Sequence, residues 1–167
     1  MGAHTAISLE EYLHTRFPNP EPEFRDGEIQ ERTMPDYLHG KVHGLLFMFF
    51  ALLRSRVRVF PSVETRLKIE SSKVLIPDVT VFFPDEPREQ PETPPLIAIE
   101  ILSLEDRLSA VREKLEEYRT WGVPHVWLVD PHSRRLYSCE AGFAEVSSLR
   151  VPELDTELKP ADVFDWQ

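Results

Sequence analysis

Two short runs decide the fold: Ile76-Pro77-Asp78-Val79-Thr80-Val81-Phe82-Phe83 and Leu96-Ile97-Ala98-Ile99-Glu100-Ile101-Leu102. β-Branched and aromatic residues at this density, bounded by Pro77, Pro84 and Pro94-Pro95, read as two central strands. Asp78 and Glu100 are the exceptions within them. A lone ionised carboxylate in such a strand costs several kcal/mol or takes up a proton, so each needs a cation, a donor set or a metal.

Toward the C-terminus, Leu108, Val111, Leu115, Tyr118 and Trp121 recur at spacings of three and four, which marks the inward stripe of a helix over about 107–121. Lys114 follows Val111 by three residues and precedes Tyr118 by four, so it sits at the edge of that stripe. Two carboxylates on adjacent strands and one inward-leaning lysine then converge at one end of a sheet. That arrangement suits a divalent-metal site with a basic partner. Gly122-Val123-Pro124 ends the helix, and His125-Val126-Trp127-Leu128-Val129-Asp130 is a further apolar strand. A right-handed crossover would make the Glu100 and His125 strands parallel neighbours or near neighbours. Residues 135–139 and 143–146 extend a meander, and the tail from Pro152 is expected to lie along an edge.

Toward the N-terminus, Arg56-Val57-Arg58-Val59-Phe60 and Glu64-Thr65-Arg66-Leu67-Lys68-Ile69 alternate polar and apolar residues, the pattern of strands with one wet face. Their basic side chains point one way, toward a phosphate-facing slope that includes Arg66 and Lys68. Before them, residues 36–54 carry apolar positions at the helical period, with His39 and His43 four apart on one face. That histidine pair lacks the glutamate of a His-Glu-x-x-His motif and is a weak metal signal. His39 alone is a candidate to orient a phosphate or a carboxylate. Phe24-Arg25-Asp26-Gly27-Glu28-Ile29 is a hairpin with an Asp-Gly turn, and Glu28 either faces solvent or points to the site. Ser8-Leu9-Glu10-Glu11 is a capping box opening a short helix, and residues 1–7 are expected to be disordered. Residues 84–95 hold five prolines and four acidic residues, the composition of an exposed loop.

Composition sets outer bounds. With 167 residues and 41% apolar content, the chain builds one ordinary core, and a single domain is the default. One cysteine, Cys139, excludes an internal disulfide and suits a reducing, cytoplasmic setting. The longest apolar block, residues 45–53, is too short to span a membrane. A net charge of -10 argues against general polyanion binding, although residues 37–73 hold seven Lys or Arg against two Glu. Residues 74–106 hold one Arg against eight Asp or Glu, so a basic patch beside an acidic site remains open, as does a plain solvated surface.

Taken together, Asp26-Gly27-Glu28-Ile29, the His39 helix start, Ile76-Pro77-Asp78-Val79, Ile99-Glu100-Ile101-Leu102-Ser103, Lys114 to Tyr118 with Gly122, and Val126-Trp127-Leu128-Val129-Asp130-Pro131 form a pattern. The pattern resembles the Uma-two putative restriction endonuclease family of the PD-(D/E)XK nuclease superfamily. The resemblance implies an α/β fold of the α+β variant, a restriction-endonuclease-like mixed central sheet flanked by helices, over the whole chain. It implies hydrolysis of DNA phosphodiesters with Mg²⁺ or Mn²⁺ held by Asp78, Glu100 and the Ile101 carbonyl. Lys114 would orient water or stabilise charge, replacing the lysine that the superfamily places where Leu102 stands. Glu28 would be an additional carboxylate, and a homodimer would serve the two strands. The rival readings are a binding or regulatory module with a degenerate site, and a hydrolase of small phosphodiesters.

Overall fold

The structure is a computed structural model and describes residues 6–165. Ser8 caps α1 (Leu9–His14) with the reciprocal Ser8–Glu11 box. Of the stretch expected to be disordered, residues 1–5 lie outside the described ones, and Ile7 donates its backbone N–H to Gly27 O at 3.1 Å. Asp26 and Gly27, with φ of 51° and 87°, make the tight turn between β1 (Glu23–Arg25) and β2 (Glu28–Gln30).

Asp36 caps α2 (Tyr37–Leu52) by accepting His39 N–H at 2.8 Å. The helix tightens into a 3₁₀ turn over Leu53–Ser55. Residues 56–59 therefore do not form the expected strand: Val57 N still donates to Leu53 O, and β3 (Phe60–Val63) starts only at Phe60. Glu64, at φ 48°, interrupts the second expected strand, leaving β4 (Leu67–Glu70).

β5 (Lys73–Leu75) and β6 (Val79–Phe82) belong to different sheets, so the Asp78 run is not one strand. Pro77 has no N–H to give a ladder, and the chain crosses from one sheet to the other at residues 76–78. After the 84–95 loop come β7 (Ile97–Ile101), α3 (Leu108–Trp121), β8 (His125–Asp130), β9 (Arg135–Ser138) and β10 (Ala144–Val146). That loop is anchored at Pro91, which is buried and accepts Lys68 N–H at 3.0 Å. The tail forms a separate hairpin, β11 (Leu149–Val151) with β12 (Thr156–Leu158), followed by α4 (Pro160–Phe164). It is core rather than edge, because Val151, Leu154, Leu158, Val163 and Phe164 are all buried.

The larger sheet has the order β10-β9-β8-β7-β6-β3, and the smaller β2-β1-β5-β4. β7 and β8 run parallel through α3 and their neighbours are antiparallel, which makes a mixed sheet of α+β type. Side-chain alternation separates the two faces. Odd positions Val79, Val81, Ile97, Ile99, Trp127 and Val129 join Val42, Leu46 and Phe50 of α2 in one core. Even positions Ala98, Val126 and Leu128 join Leu115 and Tyr118 of α3 in the other. The α3 stripe is shorter than its spacing predicts, since Leu108 is exposed. Glu100 is an even position, so it points to the α3 side.

Candidate functional site

Val79 pairs with Ile99 across β6 and β7, which sets Asp78 and Glu100 opposite each other on adjoining strand ends. Both are buried and border a cavity of about 360 Å³ between the two sheets and the start of α3. His39, Lys114 and Ile101 border it too, so five of the expected site residues meet at one place.

Lys114 is the hub. Its Nζ lies 2.8 Å from Glu100 Oε1 and 2.6 Å from Glu23 Oε1, and donates to Ile76 O at 3.0 Å. Glu23 also accepts Ile76 N–H at 2.8 Å. Both backbone groups of Ile76, which the break at Pro77 deprives of a ladder, are thus satisfied by site side chains. Tyr118, one turn beyond Lys114 on α3, donates its hydroxyl to Glu100 Oε1 at 2.9 Å.

Asp78 accepts Ile101 N–H on Oδ2 at 2.7 Å. Its cationic neighbours stand further off: Arg32 donates to Oδ1 at 3.2 Å and His39 Nε2 lies 3.3 Å from Oδ2. His43, the other member of the helical pair, has its Nε2 2.9 Å from the Asp78 carbonyl. Arg32 also faces Glu64 at 3.6 Å, and its buried Nη1 has no hydrogen-bond partner.

The surroundings push these groups apart in acidity. Burial, reinforced by Asp78 and Glu23 against the opposition of Lys114, raises the Glu100 carboxyl to about 7. Burial acts the same way on Asp78, but His39, Arg32 and Lys114 outweigh it and hold that carboxyl below its ordinary value. For Lys114, burial is outweighed by Glu100 and Glu23, and the ammonium is favoured. Burial also lowers His39, yet its bond to Asp78 leaves the imidazole above its usual value.

Three expected residues lie elsewhere. Glu28 is exposed on β2 and does not border the cavity, whereas Glu23 on the paired strand does. Arg66 donates to Glu21 and to the carbonyls of Leu13 and Thr15, closing the end of α1, and lies over the Tyr12 ring. Lys68 pairs with Glu92 at 2.9 Å. The two share no phosphate-facing slope, because each is drawn to an acidic partner. Glu23 and Arg32 carry no local signature: nothing in their immediate sequence separates them from the exposed glutamates and arginines around them.

Among the described residues, no group of three or more His, Cys, Asp or Glu side chains is arranged to hold a metal ion. No helix among them is long and apolar enough to cross a membrane.

The fold is shared with a crystal structure of "a putative nuclease belonging to DUF820" from Anabaena variabilis ATCC 29413. The two agree with a TM-score of 0.82 over 96% of this chain and 98% of that one, at 21% sequence identity. No curated protein matches the chain. A family model described as "Uma2: Putative restriction endonuclease" matches residues 9–167. With nearly the whole sequence inside that match, the chain belongs to the Uma2 family.

Proposed function

We propose that the chain is a divalent-metal-dependent endodeoxyribonuclease acting at the cavity between its two sheets. One observation carries this reading: Asp78, just before β6, and Glu100, on β7, stand opposite each other, with the Lys114 amine 2.8 Å from Glu100.

The residues fit Mg²⁺ or Mn²⁺. The donors are hard oxygens, and Mg²⁺ is commonly held by one or two carboxylates, with water and substrate phosphate filling the other positions. Such an ion does not need a three-residue cluster. Seven carboxylates border the cavity against four Lys or Arg, so a cation is favoured there and a bare phosphodiester is not. The Arg32 and His39 contacts to Asp78, at 3.2 and 3.3 Å, are longer than the roughly 2.7–2.9 Å of a tight charge-assisted bond, so Asp78 can exchange them.

Asp78, Glu100 and the Ile101 carbonyl would hold the ion, which when bound polarises the phosphodiester and lowers the pKa of water. The Ile101 N–H fixes the Asp78 carboxylate, and the Tyr118 hydroxyl fixes that of Glu100. Lys114 orients the attacking water or offsets the charge growing on the phosphoryl oxygens. His39, released from Asp78, positions the phosphate. Glu23 takes the supporting part that the sequence offered to Glu28, because it reaches Lys114. Arg66 and Lys68 are left out of the site. Cutting both strands calls for paired sites, which a homodimer supplies.

Nicking of supercoiled plasmid DNA with Mg²⁺ or Mn²⁺ tests the reading. The expected result is cleavage that falls at least about 100-fold in Asp78→Ala, Glu100→Ala and Lys114→Ala. Loss of Mn²⁺ affinity in Asp78→Ala is expected as well. Unchanged metal binding and cleavage in the Asp78 and Glu100 variants would sink it. A binding module without catalysis is the second reading, favoured by Lys114 having three acceptors of its own. A wild-type chain that binds duplex DNA at low salt, yet neither binds Mn²⁺ nor nicks, would select that reading.

A further inference from the structure

α2 carries one Lys and two His in sixteen residues, and no other titratable side chain except Tyr37. Its inner positions His39, Val42, Leu46 and Phe50 are buried. The opposite stripe, at spacings of three and four, is Tyr37, Gly40, Gly44, Phe47, Met48 and Leu52, all exposed. Tyr37 is 78% exposed, Met48 53% and Leu52 69%, and none of the six carries a charge at neutral pH. A surface helix ordinarily turns charged side chains to water on this side. Met34, 67% exposed just before the helix, extends the patch. At about 150–200 Å² per large side chain, the patch presents roughly 600 Å². That is near the most a monomer usually leaves uncovered, and a large part of the ~800 Å² per partner in a standard interface.

We propose that this face of α2 is the contact between two copies of the chain, which pack as antiparallel helices about a two-fold axis near Gly44. Charge selects a second copy as the occupant. The chain carries -10 overall, so two copies meet with least repulsion through a face that holds no acidic side chain and one lysine, Lys41, whose amine lies over the Tyr37 ring. Antiparallel packing opposes the two helix dipoles. Shape agrees with charge. A Cβ built on Gly40 or Gly44 meets nothing within 4 Å, and an axis at Gly44 brings the partner's Met48 over the notch at Gly40.

The proposal does not depend on catalysis and stands or falls with the state of association. Sedimentation of the wild-type chain at about 100 µM is expected to give a dimer of 19.4 kDa chains. Met48→Glu buries an unpaired charge at the contact and is expected to weaken association about 100-fold. Leu104→Glu, at a site 74% exposed outside α2, should leave the dimer intact. A second measurement is independent of Met48→Glu: Gly44→Cys should form an intermolecular disulfide on mild oxidation, while Leu104→Cys should not. Circular dichroism of each variant checks its fold. A monomeric wild type would overturn the proposal, including one whose stripe captures a different protein. So would a dimer that withstands Met48→Glu and gives no Gly44→Cys cross-link.

Discussion

The Lys114 amine lies 2.6 Å from Glu23 Oε1, an ion pair that ties α3, on the larger sheet, to β1 of the smaller one. The same glutamate satisfies the Ile76 N–H at the point where the chain changes sheets. Glu23→Ala leaves a buried donor unpaired and removes one of the two carboxylates that neutralise a buried ammonium. It is expected to lower unfolding stability by about 3 kcal/mol. Glu89→Ala, exposed in the 84–95 loop, should stay within about 0.5 kcal/mol. Urea denaturation of the two variants side by side decides the point, and equal effects would remove Glu23 from its joining role.

The raised Glu100 carboxyl gives the metal-free chain a distinctive pH dependence. Its pKa moves from an ordinary 4.5 to about 7 on folding, so the folded chain keeps a proton that the unfolded chain has released. Stability therefore falls as pH climbs from about 4.5 toward 7 and levels off above. Asp78, held below 3.8, stabilises above that value and loses its contribution only on strong acidification. Lys114, held above 10.5, stabilises below that value and loses its contribution only in strong alkali. His39, raised above 6.5, adds a fall of the same sign as Glu100 but at higher pH, while the lowered Glu11, Glu116, Glu153 and Glu157 add a rise near 4.5, so the difference between wild type and a Glu100 variant from about 4.5 to 6.5 reports Glu100. Glu100→Gln should flatten that interval in urea titrations with chelator present. A variant that still loses stability like the wild type across it would assign the effect elsewhere.

Asp78, Glu100 and Lys114 were legible because a charge inside an apolar run, or at the edge of an apolar stripe, breaks a local pattern. The parallel β7–β8 pair was legible for a related reason: a helix between two apolar strands leaves one common crossover. Glu23 and Arg32 were not legible, since their burial is set by Lys114 and Asp78, which only the folded chain brings near. The change of sheet at Pro77 was not legible, because a proline marks where a strand stops without showing that Lys73–Leu75 before it joins a different sheet. Residues 56–59 misled for the opposite reason, because four residues of alternation also fit the frayed end of a helix, where Val57 still donates to Leu53.

Gly122 ends α3 at φ 108°, a region that side chains with a Cβ rarely occupy, and turns the chain into β8. A Cβ there would meet only Pro94 Cγ at 3.7 Å, an ordinary contact, so the cost of Gly122→Ala is conformational. The expected loss is about 1 kcal/mol, with Lys114 still two turns away from the disturbed cap. Thermal unfolding should show this modest loss. A loss several times larger would mean that α3 shifts as a body and carries Lys114 with it.

Arg66 separates a structural cation from a functional one. Its guanidinium serves Glu21 and three carbonyls at the end of α1, and lies 4.8 Å from the Tyr12 ring centroid. These are planar, forked contacts that an ammonium cannot reproduce, so Arg66→Lys should lose much of what Arg66→Ala loses. The expected destabilisation is about 2–4 kcal/mol for Arg66→Ala, because Glu21 and the helix-end carbonyls lose a shared donor. DNA affinity per folded molecule should stay at the wild-type level, with an unchanged salt dependence, since Arg66 does not border the candidate-site cavity. A salt slope shallower by about one phosphate contact in Arg66→Ala would instead return Arg66 to the substrate-positioning set.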